Sequence, residues 1–326
     1  MPSARLLPVF TGLLILTVIS WFVALAVGSI TVPLPELIGH LAGQANDQAA
    51  LVLKLRVPRA LAAWLTGAML ALAGCLMQVL LRNPLADPYI LGVSGGAACA
   101  ALIGITLGIG VAWLPPLAFA GAMLAMITVF GLARGSGAWS TTRLLLTGVV
   151  LAAGWGALIS LILALSPDNS LRGMLFWLMG DLSLASMPVW SLVLFGVVFT
   201  LTMLRARSLN VLAMGETTAR LLGEDSIRLQ WLVYLLASLL TAAAVAMAGS
   251  IGFVGLIIPH MMRLLIGSDH RLLLPAATLF GGSFLLLADT LARTLLAPQQ
   301  LPVGVITALT GVPLFLVLLN RARLTQ

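Results

Sequence analysis

Apolar runs of about 18–22 residues recur along the whole chain, and that length is what a helix needs to cross a hydrocarbon core. A segment in lipid must satisfy its own backbone, so the expected architecture is all-α, a polytopic bundle of transmembrane helices. Ten helices are read, at about 7–28, 60–81, 91–111, 114–133, 143–165, 188–206, 231–250, 252–267, 272–292 and 303–320. The eighth is short and carries Pro259, so a broken or partly re-entrant segment is expected there. The first run is longer than the apolar core of a signal peptide and reads as an uncleaved helix. With 61% hydrophobic and 8% charged residues among 326, and a mean hydropathy of +1.13, a soluble globule is excluded. The chain reads as one membrane domain, 1–326.

The net charge of +7 is read as loop charge that sets orientation and meets anionic head groups, not as a nucleic-acid footprint. With the N-terminus inside and alternating crossings, Arg5, Arg82, Arg134, Arg143, Arg205, Arg207, Arg220, Arg228, Arg263, Arg271, Arg321 and Arg323 fall on the inner side. Lys54, Arg56, Arg59, Arg172 and Arg293 fall outside. Twelve of the 17 cations are then inside, which predicts both termini in the cytoplasm. The stretch "LKLRVPRALAAW" (53–64) gathers three cations on the outer side, against that trend, and asks for a functional reason.

Few residues offer covalent chemistry. Cys75 and Cys99 lie inside apolar runs and read as buried small hydrophobes. His40, His260 and His270 lack metal-ligand spacing. "GVSGG" (92–96) lacks the spacing of a serine-nucleophile elbow. The only lysine, Lys54, stands outside any Gly-Lys-Ser/Thr phosphate loop, so any ATP used must be hydrolysed by another subunit. Asp289 and Arg293, four apart, read as a helical ion pair, and His260 as a packed histidine. Had these groups been a proton relay, the chain would be an ion-coupled secondary transporter, which stands as the rival class.

Internal echoes suggest an inverted repeat of helices 2–5 and 7–10, over 60–166 and 231–320. Gly74 precedes Pro84 by ten residues, as Gly249 precedes Pro259. "LTGVV" (146–150) is echoed by "LTGVP" (309–313). Between the halves, 205–230 is a polar stretch that Gly215 and Gly223 divide into two short helical pieces. It suits either a lipid-surface helix or a piece that fills a groove on a partner.

"LRVPRALAAWLTGAMLALAGCLMQVLLRNPLADPYILGVSGGA" (55–97) resembles the permease subunits of binding-protein-dependent ABC importers for iron–siderophores, haem and cobalamin, the FecCD family. "STTRLLLTGVVL" (140–151), "FWLMGDLS" (176–183), "LNVLAMGETTARLLG" (209–223), "GSIGFVGLIIPHMMRLLIGSDHRLLLP" (249–275) and "LPVGVITALTGVPLF" (301–315) extend the resemblance in order; residues 28–52 match poorly. The resemblance implies ten helices, pairing with a second copy of the chain, two cytoplasmic ATPase subunits carrying the ATP and Mg, and an extracytoplasmic binding protein, in the inner (cytoplasmic) membrane. No cofactor is implied on this chain. Family arginines that receive acidic residues of the binding protein match Arg56, Arg59 and Arg293. Arginine's planar fork suits carboxylates, and Pro58 is expected to hold Val57 extended. Lys54 matches no family role.

The resemblance further places Thr141 and Thr142 at a cytoplasmic gate, where they would equally cap the fifth helix. It makes 209–223 the segment that contacts the ATPase, through Leu209, Met214, Glu216, Arg220 and Gly223. Arg172 lies on a short outer helix in this family. It either faces an anionic cargo or is a solvated loop arginine, the reading preferred here.

Overall fold

The computed structural model describes residues 6–28, 39, 47–134, 141–183, 185 and 189–323. Thirteen α-helices lie among the described residues: α1 Leu6–Ala26, α2 Asp47–Leu80, α3 Val93–Thr106, α4 Leu114–Arg134, α5 Thr141–Leu165, α6 Asp168–Leu178, α7 Val189–Leu204, α8 Ala206–Ala213, α9 Glu216–Leu221, α10 Ser226–Ala248, α11 Val254–Ile266, α12 His270–Thr294 and α13 Val303–Arg323. Ten of them coincide with the ten apolar segments. The other three are α6 on one side of the bundle and the pair α8–α9. Six helices are long and apolar enough to cross a membrane alone: α1, α2, α4, α5, α10 and α12.

The core is built on α2, packed between α12 and α10. Its most apolar stretch is 89% buried, against 6% for α5; α2 is therefore the axis of the bundle and α5 an outer face. Lipid gives helices no hydrophobic reason to associate, so close approach through small residues replaces it. Gly67 lies against the Gly281 carbonyl of α12 and Gly74 against the Gly255 carbonyl of α11, too close for any Cβ. Gly96 and Gly121 bring α3 and α4 together in the same way. Cys75 and Cys99 are both buried.

Two expectations are corrected. Pro58 lies inside α2, so Val57 is helical and not extended; Pro58 simply has no N–H for the Lys54 carbonyl, a local loss the surrounding helix tolerates. Likewise Pro259 sits inside a continuous α11. The break comes earlier, at Ser250–Phe253, where Phe253 takes a left-handed φ of 72°. A matching break precedes α3, where Gly92 has a φ of 70°. The two meet: the Ile251 N–H donates to Tyr89 Oη at 3.1 Å.

The two sequence echoes fare differently. Gly74 lies within α2 whereas Gly249 terminates α10, so the Gly–Pro spacing marks unlike places. The LTGV echo falls on like ones. Gly148 of α5 packs on Ile90 and Leu91 before α3, and Gly311 of α13 packs on Phe253 before α11.

Candidate functional site

One end of the bundle carries the opening cations. The last turn of α1 leaves carbonyls without helical partners. The Val27 N–H closes on Val23 O at 2.8 Å. Arg56 Nη1 donates to Leu25 O at 2.6 Å and Ala26 O at 3.1 Å, and Arg293 Nη2 donates to Ala24 O. Two cations at a helix C-terminus also suit its negative dipole end. Gly28 makes this possible, since a Cβ there would strike the Arg56 guanidinium.

Arg59 is held differently. Its Nε donates to Asp289 Oδ2 at 3.0 Å and its Nη2 to Oδ1 at 2.8 Å, a bidentate pair, while Nη1 donates to Gln300 Oε1 at 2.8 Å. Asp289 is 2% exposed. The expected Asp289–Arg293 pair is thus secondary: Arg293 Nε stands 3.9 Å from Asp289 Oδ2. Arg56 and Arg293 are buried and turned inward; only Lys54 is exposed and Arg59 partly so. The cluster joins α1, α2 and α12 and keeps an excess of positive charge.

The α8–α9 segment forms the second site. Gly215, at φ 114°, separates the helices, and Gly223, at φ 84°, follows the second. Leu209 is buried with Ala206 and Leu212 on the face that anchors α8. Its expected role as an outward contact is therefore corrected; spacing of three residues marks it as an inner stripe. Met214, Leu221 and Leu222 are instead the exposed apolar residues, at 68%, 83% and 62%. Leu221 and Leu222 were missed because they look like any other leucines in so apolar a chain. Glu216 Oε1 accepts from Arg220 Nη2 at 2.6 Å, one turn apart. Ser208 Oγ donates to Glu224 Oε1 at 2.6 Å.

Asn210, also not foreseen, links α8 to α12. Its Nδ2 donates to Asp269 Oδ1 at 2.7 Å and its Oδ1 accepts from the His270 N–H at 2.8 Å. The hydrogen bond from Asn210, then the Arg271 N–H, hold the Asp269 carboxyl below its ordinary range.

Thr141 and Thr142 open α5, and Thr142 is exposed. Residues 135–140 and the Thr141 side chain lie outside the described residues, as do Arg5 and most of 29–46. Arg172 is exposed on α6, its guanidinium carbon 5.7 Å from the Phe176 ring centroid one turn on, a cation–π arrangement.

The model of the FecCD transport family matches residues 16–321, nearly the whole chain. The chain belongs to the FecCD transport family. The cobalamin import system permease protein BtuC of Halobacterium salinarum is 45% identical over 274 residues, covering 82% of this chain and 72% of the relative. The hemin transport system permease protein HmuU of Yersinia pestis is 43% identical over 286 residues, covering 83% of each. Among solved structures, one described as an inward-facing, metal-chelate type ABC transporter superposes with a TM-score of 0.84 at 33% identity, covering 96% of this chain and 98% of that one. This FecCD chain is accordingly a multi-pass membrane permease.

Proposed function

We propose that the chain is the membrane-spanning half of an ATP-driven importer. Two copies enclose a pathway, each engaged by a separate ATPase subunit that carries ATP and Mg, and a binding protein delivers the cargo at the opposite face. The cargo is a bulky metal chelate of the cobalamin, haem or iron–siderophore class; relatives are named for cobalamin and hemin. No bound cofactor is needed on this chain. The membrane is the cytoplasmic one, with both termini inside; reporter fusions at either terminus active only in the cytoplasm would agree.

The observation that carries this reading is the α8–α9 pair. It is anchored by buried Leu209 and Leu212 yet displays Met214, Leu221 and Leu222, while the chain has no phosphate loop of its own. Such a pair suits a groove on a partner, which receives spaced apolar anchors of a helix. On the opposite face, Arg59 and exposed Lys54 offer charge to acidic residues of the binding protein, while Arg56 and Arg293 brace the surface. Thr141 and Thr142 stand at the inner end of the pathway and Arg172 at the outer.

Uptake into proteoliposomes tests the reading. Transport that requires the ATPase, the binding protein and MgATP is expected. Import by the purified chain alone, abolished by a protonophore, would instead establish an ion-coupled carrier. Equilibrium binding of cobalamin, hemin and ferric siderophores to the binding protein would name the cargo.

A further inference from the structure

Asn210 occupies an unusual junction. Asp269 caps α12, accepting from the Arg271 N–H at 3.0 Å, and Asn210 takes the neighbouring His270 N–H. The first two N–H groups of α12, which have no helical partners, are therefore shared between a capping residue of α12 and a side chain of α8. The amide orientation follows from the chemistry: Nδ2 faces a carboxylate and Oδ1 faces an N–H, so a flipped amide would oppose like with like. The same Oδ1 lies 2.6 Å from His270 Nδ1, which must then carry the ring proton. His270 is 2% exposed.

At its far end the same helix carries Asp289 and Arg293. About 20 residues of helix separate the two ends, roughly 30 Å at the helical rise. Pro275 removes the N–H that would bind the Arg271 carbonyl, yet α12 runs unbroken from His270 to Thr294, so its first turn moves with the rest of the helix. The Asn210 side chain ties that turn to α8.

We propose that Asn210 is a positioning residue that fastens the α8–α9 pair to the first turn of α12, so that displacement of the pair is delivered along α12 to the Arg59–Asp289 pair at the opposite face. This rests on the reading that α8–α9 contacts an ATPase. It assigns to one rigid helix the connection between energy input and binding-protein surface, and coupling of this kind requires an element both sites bias.

The test uses the permease assembled with its ATPase in nanodiscs. Gln299→Cys provides a thiol on the exposed outer segment, with Cys75 and Cys99 buried and so little background. Maleimide labelling at this site is expected to change by about fivefold or more on trapping with MgATP and vanadate, the usual scale of coupling between sites. Asn210→Asp sets two carboxylates together and should abolish the change while the ATPase still co-purifies and hydrolyses ATP. The exchange N210D with D269N restores one donor and one acceptor at the pair and should recover the response, which a general loss of folding would not permit. The proposal is overturned by an ATP-dependent change that survives N210D, by failure of the exchanged pair to restore it, or by no change in the parent. If replacing 209–223 with a Gly/Ser linker leaves the ATPase bound, the ATPase-contact reading itself fails, whatever Asn210 does.

Discussion

Asp289 is the residue on which the outer cluster balances. It is 2% exposed and neutralises Arg59 at 2.8 Å, with Arg293 nearby. Removing one partner of a buried pair strands the other, at a cost of about 3–5 kcal/mol. Asp289→Ala is therefore expected to lower thermal stability in detergent markedly; an unchanged melting temperature would mean that Arg59 finds another partner. Arg56 and Lys54 should separate cleanly. Arg56→Ala leaves α1 carbonyls unmet and should cost about 1–3 kcal/mol. Lys54→Ala should leave stability unchanged but weaken association with the binding protein and flatten its salt dependence, because exposed charges act through a screened field. Equal melting curves for the two variants would contradict this division. The sequence shows that cations gather here, but not which way they turn. Asp289 has a basic neighbour one turn away, and local spacing favours that pair. Its actual partner lies 230 positions earlier in the chain, a contact only the packing of α2 on α12 creates.

At the level of elements, run length and glycine placement were legible because both act locally. Ten apolar runs became ten helices, and Gly215 divided α8 from α9. The breaks before α3 and α11 were legible as gaps between apolar runs, at 81–91 and 250–252, but Pro259 drew the expected irregularity into the eighth helix; the left-handed residues precede the helices, at Gly92 and Phe253. Leu209 was misjudged for a related reason: in a chain this apolar, an anchoring leucine and a displayed one look alike until a face is assigned. The glycines of α2 permit a sharp test of packing. Gly74→Ala drives a methyl group into the Gly255 carbonyl of α11, whereas Gly12→Ala on α1 meets nothing within 4 Å. The first should destabilise by roughly 1–3 kcal/mol. The second should be neutral or stabilising by about 0.5–1 kcal/mol, through helix propensity. Matching thermal shifts for both would show that close α2–α11 contact does not hold the bundle together.

For the whole molecule, α5 poses the remaining question. It is among the most apolar helices yet nearly all of its length is uncovered. Leu146, Val149, Val150 and Ala153 share one face by helical spacing, and all four are exposed. Lipid covers such a face readily, but a second copy does so with consequences for function, because symmetric copies bury the same face twice and leave a pathway between them. Gly148 and Gly92 set the opposite face of α5 against the break before α3, so in a dimer on the exposed face α5 would stand between that break and the partner. Single cysteines at positions 146, 149, 150 and 153, introduced after replacing the buried Cys75 and Cys99, discriminate the two coverings. If α5 meets α5, oxidation in membranes should cross-link at least one of these positions to a species of twice the mass, with a helical period along the face. Cross-linking at none of the four, with all four labelled freely by a lipid-soluble maleimide, would assign the face to lipid and require the pathway to be sought elsewhere in the bundle.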